Sequence, residues 1–226
     1  MFKKIICGIG CVVVLTFVFG ISGCAGFQGL EKGTLVFEDD FEDGDLSGWE
    51  ATDERAWRIE DVKGVKVLSL FGKSEYKPPV RSPLSRSMIG NVEVGSFVME
   101  LEMLSATKDY GHRDLCLFFG YQDASHFYYV HIANRSDAHA NSIFIVDGKA
   151  RLSIAKTRST GTKWDDNWHT VRLVRDVDEG TIEVYFDDMD KPIMTAIDKT
   201  FTRGGIGVGS FDDTGKFDDV KIWGID

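Results

Sequence analysis

Helical periodicity is nearly absent from this chain once its N-terminal apolar run has passed, which argues against α-helical and mixed α/β domains. Usable cysteine is also scarce. Of four cysteines, Cys7 and Cys11 lie in the apolar run and Cys24 stands at its end. Only Cys116 remains beyond it, so an internal disulfide framework is excluded. Positive charge is short too: 26 Lys and Arg face 36 Asp and Glu, a formal net charge of −10 that becomes −12 without Lys3 and Lys4. Nucleic acid and anionic lipid surfaces both need a basic footprint, and neither is an expected partner.

What is present begins with "MFKK", a short positive segment, followed by the continuous apolar run "IICGIGCVVVLTFVFG" and then "ISGC". That order is the shape of a secretory signal. The run is about long enough to span a bilayer as an anchor, but an anchor has no need of small residues before a cysteine. The segment resembles a bacterial lipoprotein signal, which implies cleavage before Cys24, lipid on Cys24 and a chain held at the cell envelope, facing periplasm or exterior. Residues 1–23 are then the signal, 24–33 a tether, and 34–226 one domain of roughly 190 residues, enough for one sizeable core.

The rest reads as short β-rich runs, among them "TLVFED", "GSFVMELEML", "DLCLFFGY", "HFYYVHI", "NSIFIV", "ARLSIAK", "GTIEVYFDD" and "FDDVKIWG". Most are separated by turn-forming Gly, Asp, Asn, Ser or Pro, and "VDGK", "DEGT" and "DDTGK" look like tight hairpin connections. A dozen or so strands without helices imply an all-β sandwich or barrel. Alternation puts Phe97, Met99, Leu101 and Met103 on one face and Glu100 and Glu102 on the other. Pairing Tyr121 with His126 gives a core face of Leu115, Leu117, Phe119, Tyr128, Val130 and Ile132. The opposite face then carries Asp114 near Ala133, Cys116 near His131 and Phe118 near Tyr129.

The C-terminal third, "DNWHTVRLVRDVDEGTIEVYFDDMDKPIMTA" and then "GGIGVGSFDDTGKFDDVKIWG", resembles the concanavalin A-like lectin/glucanase superfamily. Laminin G-like domains and bacterial domains of the 3-keto-disaccharide hydrolase type come closest. "FEDDFEDGDLSGW" fits as well, because such domains bring their terminal strands together. The resemblance covers roughly residues 35 to 225 and implies a jelly-roll sandwich of two antiparallel sheets, with glycans lying across the concave one. It also implies a structural role for Trp168 and His169, which open a strand.

Six carboxylates lie within residues 37–49. If the terminal strands are neighbours, Glu38 and Asp40 meet Asp218 or Asp219, and a Ca²⁺ ion bound by Glu38, Asp40 and Asp219 relieves their repulsion. The alternative is turn chemistry and solvation, at which Asp and Gly are good.

For a ligand, the expected face carries Glu100, Glu102, Asp114, Cys116, Phe118, Tyr129 and His131, joined by Arg113 before one strand and by Asn134 and His139 in a loop. Four of the five histidines fall within residues 112–139. Glu100 and Glu102, about 6.5 to 7 Å apart by strand rise, offer a permissive spacing for glycoside hydrolysis. However, "MELEM" is a weak stand-in for the Glu-x-Asp-x-x-Glu signature of the laminarinase-type hydrolases. A lyase would use Tyr129 or His131 as base and Arg113 against a uronate. No spacing motif supports a metal on His131, Asp114 and Glu102. A Cys116 nucleophile is disfavoured outside the cytoplasm. The leading expectation is therefore a surface-tethered domain that binds a polysaccharide or glycoconjugate. The rivals are an enzyme on the same face using Glu100, Glu102 and His131, and a laminin G-like protein-interaction module.

Overall fold

The structure, a computed structural model, describes residues 32–225. The signal, Cys24 and nearly all of the tether lie outside the described residues. The strands are β1 (Thr34–Asp39), β2 (Trp49–Ala51), β3 (Trp57–Val62), β4 (Val65–Leu70), β5 (Ser85–Val94), β6 (Ser96–Ser105), β7 (Asp114–Asp123) and β8 (His126–Ala133). They continue with β9 (Ser142–Asp147), β10 (Leu152–Ser153), β11 (Ala155–Arg158), β12 (His169–Arg175), β13 (Thr181–Phe186), β14 (Met194–Ile197), β15 (Gly204–Ser210) and β16 (Gly215–Ile225).

Two antiparallel sheets result. One has nine strands in the order β11-β14-β13-β12-β6-β16-β4-β3, with β1 also on β16; the other has seven, β10-β9-β8-β7-β15-β5-β2. One edge of β16 pairs β6, while its other edge is shared by β4 over Gly215–Phe217 and by β1 over Val220–Gly224. The terminal strands therefore meet, which is the condition set for the two acidic ends to be neighbours.

Alternation builds the core between the sheets. Phe97, Met99, Leu101 and Met103 of β6 face Leu115, Leu117 and Phe119 of β7, with Tyr128, Val130 and Ile132 of β8 alongside. The β7–β8 register is the expected one from Asp114↔Ala133 to Phe119↔Tyr128. Beyond that it slips: Asp123, not Tyr121, pairs with His126, across a bulge that contains Gly120 at φ 57°. "DDTGK" is not a hairpin either, because it carries the chain from β15 in one sheet to β16 in the other.

The outer face of the seven-stranded sheet is also apolar. Cys116, Phe118, Phe127, Tyr129 and Phe144 form a second buried cluster there, onto which Val80 packs from the chain between β4 and β5. Arg86, 1 % exposed, lies among the rings of Tyr76, Phe118, Tyr121 and Phe127. Covering such rings removes them from water at about 25 cal/mol per Å². The middle of this face is therefore closed, and only its ends are free to meet a ligand.

Candidate functional site

The site stands at one end of that face, where β7 begins and β15 ends. Asp114, the first residue of β7, is 1 % exposed. Its Oδ2 accepts hydrogen bonds from the Phe211 backbone N–H (2.9 Å), the Ser210 hydroxyl (3.2 Å) and the Cys116 thiol (3.3 Å). The carboxylate of Asp213 accepts the Tyr110 hydroxyl on both oxygens, at 3.0 and 2.9 Å, and the Asp114 N–H at 2.8 Å. Burial, and then the nearby charge of Asp114, push Asp213 up to about 6, and the same two causes raise Asp212.

His131 pairs with Cys116 across β7 and β8. Its Nδ1 donates to the carbonyl of His139 at 3.0 Å, while its Nε2 sits 3.3 Å from Asp114 Oδ2 without forming a hydrogen bond. Phe211 stacks on His131 at 5.9 Å, and the Arg151 guanidinium lies 4.1 Å from the Phe211 ring centre. Arg151 also donates to the Tyr129 hydroxyl at 2.9 Å. Among the described residues, five buried side-chain polar atoms lack a partner, and three of them are here: Asp114 Oδ1, His131 Nε2 and Arg151 Nε. Buried polar atoms are rarely left so, and each one calls for an explanation.

The sequence places Asp114 and His131 together correctly; several other expected residues are corrected. Glu100 and Glu102 belong to β6 in the nine-stranded sheet and point away from the core, so the whole sandwich separates them from His131. The error arose because strand alternation gives a side chain's face but not the sheet to which its strand belongs. Glu100 is bound by Lys32 and Arg172, both at 2.6 Å, and Glu102 accepts the Thr170 hydroxyl. Burial raises the Glu100 carboxyl, but those two cations hold it below its ordinary value, the reverse of what a general acid needs.

Phe118 and Tyr129 are fully buried and present no ring to a sugar. Arg113, 3 % exposed, donates to Ser105 Oγ, to the Ser105 and Asp165 carbonyls and to Asp166, tying β6 to the loop before β12. Asn134 donates to Asp109 and to the Tyr110 carbonyl, which closes a loop. His139 is exposed and lends the site its carbonyl rather than its ring. His169, bound by Asp187 and Asp165 and stacked on Phe186, is structural.

Sequence reasoning missed Arg151, Phe211, Asp212 and Asp213 as site residues. The signal was the tripeptide Phe-Asp-Asp, which occurs at 186–188, 211–213 and 217–219, and only the copy at 211–213 reaches this sheet.

At the edge where β1 meets β16, Glu38, Asp40 and Asp219 do line one cavity of about 300 Å³, together with Asp43 and Lys221. The donors suit calcium, but they do not form a converging set of three ligand atoms among the described residues, and Lys221 already places its ammonium 3.6 Å from Asp219. Turn chemistry occupies much of the segment: Asp39, Asp40, Asp43 and Asp45 each accept the backbone N–H two residues ahead.

No family model matches the chain, and no curated protein matches it. Solved structures do. The carbohydrate-binding module CBM66 of Bacillus subtilis is 19 % identical, with 79 % of this chain and 97 % of that one covered at a TM-score of 0.54. Domain 4 of AbnA, an extracellular GH43 arabinanase from Geobacillus stearothermophilus solved with arabinotriose, is 13 % identical, with 86 % and 94 % covered at 0.55. Lectin I-B4 of Griffonia simplicifolia, in its metal-free form, is 13 % identical, with 81 % and 95 % covered at 0.50. At such identities the likeness is one of fold, and the fold of this chain is the concanavalin-like jelly-roll sandwich.

Proposed function

We propose that this chain is a carbohydrate-binding domain held at the cell envelope by lipid on Cys24, and that it takes a polysaccharide or glycoconjugate at the Asp114 end of the seven-stranded sheet. The observation that carries this reading is the rim of the site. There the half-buried Phe211 ring is flanked by the Arg151 guanidinium and the exposed Asp212 carboxylate. A sugar offers an apolar face of C–H groups and pairs of neighbouring hydroxyls. An aromatic wall suits the first, and two-pronged charged groups suit the second. The fold supports the reading by analogy, since the three proteins named above are a carbohydrate-binding module, an arabinanase domain solved with an arabinose oligomer, and a lectin.

Hydrolysis by Glu100 and Glu102 loses its premise, because Glu100 is already neutralised by two cations and both residues stand on the far face. The test uses the chain from Ala25 onward, which contains every described strand, incubated with a panel of polysaccharides. Retention on at least one polymer without new products by mass spectrometry is the expected result. Release of oligosaccharides that is lost in Arg151→Ala would make this an enzyme, and no retention on any polymer would contradict the reading.

A further inference from the structure

Beneath that rim the protein has gathered more negative charge than it neutralises. Carboxylate oxygens of Asp114, Asp212 and Asp213 all lie within 4.8 Å of one another. Asp114 Oδ1 is buried and has no donor, although its residue is 1 % exposed. His131 Nε2 is buried and aimed at the same carboxylate from 3.3 Å. Because Nδ1 carries the hydrogen given to the His139 carbonyl, the neutral ring has its lone pair on Nε2, turned toward an anion. In that form the ring brings no positive charge to offset the carboxylates.

Among the described residues, no Lys or Arg forms an ion pair with Asp114, Asp212 or Asp213, and Lys73 and Arg151 are only nearby charges to Asp212. Arg113 is turned the other way, toward Ser105, Asp165 and Asp166. Arg151 is engaged by Tyr129 and Phe211. The Cys116 thiol is fully buried and donates to Asp114 Oδ2 at 3.3 Å, so it is occupied as a donor to the same carboxylate.

We propose that Asp114, Asp212 and Asp213 hold a divalent cation of the hard, oxygen-preferring class, Ca²⁺ above all, at the outer end of the seven-stranded sheet, with His131 Nε2 beside it. This site differs from the β1–β16 edge and does not depend on the chain binding sugar. A cation there would satisfy Asp114 Oδ1 and fix the 211–213 turn that forms the rim.

The experiment is calorimetric titration and thermal unfolding of the chelator-stripped chain from Ala25 onward, without sugar, against Ca²⁺, Mg²⁺, Mn²⁺ and Zn²⁺. One Ca²⁺ per chain and a rise of several degrees in Tm are expected. Asp212→Asn with Asp213→Asn should weaken Ca²⁺ at least tenfold, whereas Asp219→Asn at the edge should leave it unchanged. Asp212 is exposed, so Asp212→Asn alone serves if the double variant does not fold, and a weakening of several-fold is then expected. Three results would overturn the proposal. They are no response to any of the metals, which leaves water on the orphan atoms; calcium lost only in Asp219→Asn; or Zn²⁺ binding lost in Cys116→Ser but kept in the Asp212 variants.

Discussion

Asp213, which accepts the Asp114 backbone N–H, and Arg113, the residue before Asp114, show how neighbouring side chains can do different work. Asp213 is raised to about 6, by burial first and by Asp114 second, from an ordinary 3.8. Between about pH 4 and 6 the unfolded chain has released this proton while the folded chain still holds it. This group therefore lowers stability as pH rises through that window, and the loss is complete above it. Asp213→Asn should show a smaller fall in stability than the parent between pH 4 and 7, by denaturant unfolding in the presence of chelator; an equal fall would contradict the assignment. Arg113, expected to touch ligand, makes four hydrogen bonds inside the protein. Arg113→Met should cost about 3 kcal/mol of stability in urea unfolding while glycan affinity stays within twofold. Loss of affinity in a stable variant would restore the ligand role. At this scale the sequence made the Asp114–His131 neighbourhood legible, since it needed only a hairpin register. Arg151 and Asp212 reach the same place from the turn after β9 and from the end of β15, and no local pattern reports such a meeting.

Among the elements, the strands with clean alternation or β-branched runs were readable, and β5 was not. "SRSMIGNVEV" carries two serines, a buried arginine and Asn91 at φ 58°, so it looks like a loop although it pairs both β15 and β2. Its regularity comes from its neighbours rather than from its own sequence. "ARLSIAK" reads as one strand but is divided between the two sheets, β10 pairing β9 and β11 pairing β14. The glycines of β15 follow from close approach: a Cβ on Gly209 would stand 2.0 Å from the Ser85 carbonyl oxygen and 3.0 Å from the Phe118 ring. Gly209→Ala should therefore destabilise the fold by about 3 kcal/mol, visible as a lowered urea midpoint. A neutral effect would mean that β5 can move away from β15.

For the whole molecule, the two faces of the sandwich give competing accounts of where a glycan binds. The nine-stranded sheet offers the largest of the surface cavities described, about 640 Å³, lined by Trp168, Glu102 and Asp218. The seven-stranded sheet offers the Phe211 rim above three unpartnered polar atoms. Volume alone is a weak guide, because open grooves are common on sheet surfaces, whereas orphaned buried polar atoms are rare. The architecture was legible from the strand count and the resemblance of the C-terminal third. The choice of face was not, since strand order assigned Glu100 and Glu102 to one sheet and Asp114 and His131 to the other. The direct measurement is the affinity of the chain from Ala25 onward for a polysaccharide it retains, taken with Arg151→Ala on one face and Trp168→Ala on the other. The account predicts at least a tenfold loss in Arg151→Ala and less than a twofold change in Trp168→Ala; the reverse pattern would contradict it.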